Sequence, residues 1–264
     1  MESRFMKDNL GYKLAPLILF VFVALIWEYA PTLFGIPEFV LPRLSRVVSV
    51  FADPRTLAVF FDNGLVTLLE ALVGLLIGGG LGLAFGVVLS QSRLLMKMFY
   101  PYIVALQCMP KVALAPLLVI WFGFGLTSKI IVVALLCFFP MLVNTITGLR
   151  SVSRDNLELF RAIGAPRSAT LRHLYIPAAL PNILTGLELA IVVSLLGAIV
   201  GEFVGAEKGL GVLLVQAQFQ MNIPAVFAIL LILVALGLLF SLSVKFMRQR
   251  LLFWIPQEAK QVKV

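Results

Sequence analysis

Lys111 and Glu188 are ionisable residues set inside long apolar stretches. A charge at such a depth is costly, and it is kept where it faces a bundle interior, a pathway or an opposite charge. The chemistry open to them is a structural ion pair, the lining of a translocation pathway, or a proton or ion relay. Lys111 sits in the run Met109-Pro110-Lys111, and Pro116 follows. Each proline removes a backbone donor, and in lipid the freed carbonyls need partners, so a broken helix lines a cavity or packs inside protein. Measured as a straight helix from Pro101, Lys111 lies roughly 15 Å from the start of its segment. Glu188 falls at a broadly similar depth and is a candidate partner; a lysine that snorkels to the interface is the plain alternative. Glu28, Glu70 and Glu202 fall near the ends of their segments, and only Glu202 is marked, as an outer-gate candidate.

No catalytic constellation accompanies these charges. Ser194 lies in an apolar segment without a histidine beside it, since the one histidine, His173, sits in a polar loop. That leaves no activated nucleophile for an intramembrane protease. Cys108 and Cys137 read as small buried hydrophobes, and no cluster of metal ligands is present. We expect no catalytic residue, no metal and no enzyme activity.

The elements that must position Lys111 and Glu188 are six apolar segments, at about 14–34, 64–90, 101–124, 130–149, 183–204 and 225–246. Hydrophobic residues make up 61% of the 264, against 13% charged, more apolar side chain than a water-facing surface accommodates. The predicted fold is all-α: a polytopic bundle of six transmembrane helices forming a single domain over 1–264. The first run is too long for a signal peptide and is read as a retained helix. Between the first two segments, Leu44, Val47, Val48 and Phe51 repeat at helical spacing, which predicts a short interfacial helix with Arg43 and Arg46 toward water.

The net charge of +8 does not point to nucleic acid, because the basic residues fall between apolar segments. Six crossings put both termini on one side, with Arg4, Lys7, Lys13, Arg93, Lys97, Arg150, Arg154, Arg161, Arg167, Arg172, Lys245, Arg248, Arg250, Lys260 and Lys263. Arg43, Arg46, Arg55, Lys129 and Lys208 fall on the other. The excess of Lys and Arg on the first side makes it the cytoplasm.

Gly74, Gly78, Gly82 and Gly86 recur every four residues, so they line one face of the second segment. Such a stripe lets another backbone approach closely, either within the subunit or at a subunit or gating contact.

The polar loop 150–181 carries the most information. Residues 155–164 predict a short amphipathic helix, with Asp155 as N-cap or first-turn acid and Gly164 as its stop. Leu157, Phe160 and Ile163 are its expected apolar anchors. A second helical run, 167–175, is expected to end at Ile176-Pro177. A rigid knob with apolar anchors and a charged rim suits a groove on another protein; a solvated interfacial loop is the alternative.

Glu158, then Gly164, then Leu174-Tyr175-Ile176-Pro177 resembles the EAA motif of ATP-binding cassette import permeases. Ala113-Leu114-Ala115-Pro116-Leu117, Trp121-Phe122-Gly123, Pro177-Ala178-Ala179-Leu180-Pro181, Gly209-Leu210-Gly211 and Leu41-Pro42 resemble the nitrate/sulfonate/taurine group of that family. The resemblance implies a type I importer permease in the bacterial inner membrane. Asp155, Leu157, Glu158, Phe160, Arg161, Ala162, Gly164 and Ala165 would belong to the coupling helix that docks on an ATPase. The pathway would run between the two copies, and the helix break and its charges, read above, make Met109, Pro110, Lys111, Pro116 and Glu188 its candidates, a structural role for them being the alternative.

The implied partners are a second copy of the chain, two ATPase subunits holding ATP and magnesium, a periplasmic or lipid-anchored solute-binding protein, and lipid. The implied cargo is a small anion such as a sulfonate, taurine or nitrate, or a related aromatic or heterocyclic solute. The chain has no phosphate loop, so the nucleotide would belong to another polypeptide. Two departures stand out. Leu159-Phe160 replaces two alanines of the motif, and Glu188 stands where much of the group has a basic residue.

Overall fold

A computed structural model describes residues 10–254, so Arg4, Lys7, Lys260 and Lys263 lie outside the described residues, as does the side chain of Lys13. Among the described residues every regular element is helical. Five helices are long and apolar enough to cross a membrane, and six spans result if one sharply bent pair counts as a single crossing. The described residues divide into two compact units, one comprising 10–61 with 213–232, the other 62–212 with 233–254.

In the first unit, helix α1 (Leu10–Leu33) exposes Leu17, Ile18, Leu19, Phe20 and Phe22, a surface that lipid accommodates and water does not. The interfacial helix is present as α2 (Leu44–Ser49), continued by a 3-10 turn over Val50–Ala52. Val47 is fully buried while Arg43 and Arg46 are exposed. Side chains of α1 hold α2 and the turn that leads into it. The Trp27 indole donates to the Pro42 carbonyl at 3.0 Å, and the Glu28 carboxylate accepts from the Ser45 amide and hydroxyl, both at 2.8 Å. Trp27 also packs on Phe227, ring centroids 5.6 Å apart.

Asp53 opens α3 (Pro54–Ser90), accepting from the Thr56 hydroxyl at 2.6 Å and from the amides of Arg55 and Thr56, with Pro54 at the first helical position. The Thr56 hydroxyl first, then those amides, hold the Asp53 carboxyl below its ordinary range. Helix α3 thus begins well before the expected start near 64, because a capped, proline-led turn precedes the apolar run.

The second unit has its core where four helices meet: α3, α6 (Leu126–Arg150), α9 (Ile176–Gly205) and α11 (Ile223–Leu251). Ala71, Leu75, Val133, Cys137, Met141, Ala190, Leu195, Ala198, Phe240 and Val244 form one buried cluster there. The glycine face of α3 lies against α6. A methyl group on Gly78 would collide with the Ala134 carbonyl, and one on Gly86 would meet Thr145 at 2.7 Å. The backbones approach this closely only because those side chains are missing. Gly80, on the opposite face, meets nothing within 4 Å. Gly78→Val should therefore cost roughly 1–3 kcal/mol of packing, read as loss of the monodisperse detergent-extracted protein, with Gly80→Val near neutral. Equal yields of the two variants would refute this assignment.

The third predicted span is two helices, α4 (Arg93–Cys108) and α5 (Ala115–Phe122), bent by 81° around Met109-Pro110 and a 3-10 turn over Lys111–Leu114. Ser92 caps α4 by accepting from the Leu95 amide. Pro110 supplies the break, whereas Pro116 stands in the first turn of α5, where a proline fits, and does not interrupt a helix. Cys108 is exposed, unlike its expected burial, because the chain turns away immediately after it; Cys137 is buried and its thiol donates to the Ala190 carbonyl at 3.3 Å.

Helix α7 (Arg154–Ala162) crosses the polar loop. The run α8 (Arg167–Thr170) does not stop at Pro177: a π turn over Leu171–Tyr175 carries it into α9, giving 39 continuous helical residues. The wider turn accommodates a proline whose ring and missing donor would otherwise end the helix. Helix α10 (Leu210–Phe219) is a short element that the hydropathy pattern does not separate from its surroundings.

Candidate functional site

Two places in the second unit gather polar chemistry. The first is α7. Ser153, not Asp155, caps it, its hydroxyl accepting from the Asn156 amide at 3.3 Å; Asp155 is a first-turn acid, favourable near the helix N-terminus. At the other end Gly164 has φ +66°. Its amide donates to the Arg161 carbonyl and the Ala165 amide to the Phe160 carbonyl, both at 3.0 Å, so the last turn is closed by a left-handed residue. The ends of this nine-residue helix are therefore fixed by local chemistry.

Its faces differ from the expected ones. Leu159 and Ile163 are 58% and 67% exposed, whereas Leu157 and Phe160 are half-buried. Leu157, Phe160, Arg161 and Ala165 instead wall a cavity of about 670 Å³ with Arg167 and Tyr175. The 3.6-residue period explains the exchange: 157, 160 and 161 share one side, and 159 and 163 share the other. The outward side carries Asp155, Glu158, Leu159, Ala162 and Ile163, all exposed. The bulky leucine that stands for a motif alanine is thus part of the free face.

The second place is a buried polar cluster that the linear sequence did not disclose. Lys129, counted above as a loop residue, is 4% exposed and donates to Glu70 Oε1 at 2.6 Å; Glu70 itself is fully buried. Glu202 accepts from the Thr67 hydroxyl at 2.6 Å and from the Gly211 amide at 2.5 Å. Thr67 in turn accepts from the Leu210 amide at 2.9 Å, and Asn63 Oδ1 accepts from the Gly209 amide at 2.8 Å. Helices α3, α6 and α9 and the segment that opens α10 are thereby tied together by side chains. The signal available in the sequence was weak. Glu70, Lys129 and Glu202 are far apart in the chain, and only the glycine packing of α3 on α6 brings the first two together.

The pathway candidates do not assemble as expected. Lys111 does not pair with Glu188. Its ammonium donates to the Gln107 carbonyl at 3.0 Å and stands 4.7 Å from the centroid of the Phe139 ring. The broken helix explains this: the carbonyl freed by the break takes the lysine as its donor, and the 81° bend removes the straight-helix ruler that aligned the two residues. Glu188 lies 3.5 Å from Arg248 of α11. Met109 is exposed beside the break. Among the described residues no group of metal-ligating side chains is present.

A family model described as "binding-protein-dependent transport system inner membrane component" matches residues 74–253. The chain is 36% identical, over 91% of its length, to the formylaminopyrimidine transport permease protein of Halalkalibacterium halodurans, spanning 96% of that protein. It is 34% identical over 96% of its length to the riboflavin transport system permease protein of Chloroflexus aurantiacus, spanning 92% of it. To the taurine transport system permease protein of Escherichia coli it is 27% identical, with 87% of the chain and 85% of the relative covered.

The fold is that of a chain in the structure of the MetNI methionine ABC transporter in inward-facing conformations, at a TM-score of 0.67 and 19% identity, covering 75% of this chain and 99% of that one. On the family match and these relatives together, the chain belongs to the inner-membrane permease components of binding-protein-dependent ABC importers, and is not itself an enzyme.

Proposed function

We propose that this permease forms the translocation pathway of an ATP-driven importer as a homodimer, the whole chain acting as one membrane domain with both termini in the cytoplasm. Two ATPase subunits, holding ATP and magnesium, dock on α7 and the glycine turn that ends it; a solute-binding protein delivers cargo from outside. The observation that carries this reading is the outward face of α7, where Leu159 and Ile163 stand exposed on a helix with fixed ends. Apolar anchors on a preorganised short helix suit a groove on a partner. The excess of basic residues around α7 supports a cytoplasmic position.

The cargo we propose is a nitrogen heterocycle, ahead of an aliphatic sulfonate, taurine or nitrate. The relatives that share 36% and 34% identity are named for a pyrimidine and for riboflavin. Met109, Pro110, Lys111 and Pro116 belong to the pathway in this reading, with the lysine, seated over the buried Phe139 ring, offering a positive charge to the solute.

The test is reconstitution. The purified chain should hold its ATPase, and liposomes containing both, with the binding protein, should take up a labelled pyrimidine in an ATP-dependent way. Uptake by the chain alone under an ion gradient would refute the assignment. Lys111→Ala should lower uptake per inserted molecule on the order of tenfold, a loss of roughly 1.4 kcal/mol, with insertion little changed. Normal uptake per molecule would make the lysine structural only.

A further inference from the structure

We infer that the cavity walled by α4, the end of α6 and α7 binds a phosphate-bearing anion, supplied in the membrane by the headgroup of an anionic phospholipid. The cavity encloses about 1170 Å³, and Arg93, Lys97 and Arg150 all line it. None of its lining residues is acidic, and Tyr100 adds a hydroxyl donor; the Ser90 and Ser151 hydroxyls already donate to the Val87 and Gly148 carbonyls. The three cations are exposed, and among the described residues none of them has a carboxylate within 4.0 Å.

Arg93 and Lys97 stand one helical turn apart on α4, a mild repulsion of like charges that a bound anion would relieve. Arginine and lysine beside hydroxyls are the groups that hold phosphate oxygens.

Lipid is the favoured source of that phosphate. Leu94, Met98, Phe99 and Tyr102 of the same helix are exposed apolar or aromatic residues, as expected at the edge of a bilayer. Basic pockets between membrane helices on the cytoplasmic side take anionic headgroups. The placement in the cytoplasmic leaflet rests on the orientation proposed above. Leu157 of α7 and Tyr175 of the π turn share the wall of this cavity, so an occupant props the docking helix from behind. Anionic lipid would thereby support coupling to the ATPase.

The experiment compares wild type with the Arg93→Gln/Lys97→Gln/Arg150→Gln variant, each purified with its ATPase. Lipids retained are counted by native mass spectrometry, and ATPase activity is measured in nanodiscs of phosphatidylcholine with and without phosphatidylglycerol. Wild type should retain phosphatidylglycerol, and the variant should bind it on the order of 100-fold more weakly. Stimulation by phosphatidylglycerol should fall in parallel, and Lys97→Arg should restore what Lys97→Gln alone loses. Equal retention by wild type and triple variant overturns the site. Inorganic phosphate stabilising wild type while no lipid is retained overturns the lipid assignment. Lipid retention is read on the permease itself, so loss of the ATPase during purification would count against the proposed function and leave this result standing.

Discussion

Gly164→Val is expected to reduce uptake on the order of 100-fold while the chain remains inserted. Gly164 holds φ +66°, a conformation that costs an L-residue about 1–2 kcal/mol and a β-branched one more. Valine must either bear that strain or give up the closing hydrogen bonds from Gly164 and Ala165 to Arg161 and Phe160. In the second case the last turn of α7 frays, and Ile163 at its end no longer presents a fixed anchor. A penalty near 1.4 kcal/mol weakens docking about tenfold per helix. Two docking helices, as the proposed homodimer has, compound it.

The measurement is the affinity of the reconstituted permease for its ATPase, followed by uptake per inserted molecule. Gly164→Asn provides the control, since asparagine enters the left-handed region readily; it should retain most of the activity. Nothing lies within 4 Å of a methyl group at Gly164, so a defect in valine but not asparagine reports backbone conformation and not a clash inside the subunit. Wild-type affinity in the valine variant would remove α7 from the coupling role.

What is legible in the sequence is mainly what is local. The apolar runs gave the helices, and the glycine spacing gave a close-packed face, because both depend on residues within a few turns of one another. The stop of α7 is legible from Gly164, and Asp155 marks its first turn, although the capping hydroxyl belongs to Ser153 and not to Asp155. Its outward face was misassigned, since three apolar residues fit a helical stripe but the side that packs on the loop is set by the fold.

Lys111 and Glu188 failed as a pair for a related reason. A single proline dipeptide converts a straight span into two helices at 81°, and depth counted along the chain then has no meaning. The Glu70–Lys129 pair was hidden by the opposite error. Lys129 looked like a loop residue by its position at the head of an apolar segment, yet α6 starts three residues earlier and takes it inside.

That pair sets the largest stability effect. Lys129→Met should destabilise the permease by about 3–5 kcal/mol, the range for removing one partner of a buried ion pair. Glu70 Oε1 would lose its donor, and Oε2 already has no hydrogen-bond partner among the described residues, so a fully buried carboxylate would be left bare. Glu70→Gln should be milder, because Lys129 keeps Glu202 within electrostatic reach.

The double variant Glu70→Gln/Lys129→Met removes both charges and should recover most of the loss, which a simple sum of the two single effects does not predict. Thermal unfolding in detergent, with all four proteins side by side, measures the coupling. If the double variant is less stable than Lys129→Met, the two residues act independently, and the interhelical tie between α3 and α6 must come from the glycine face alone.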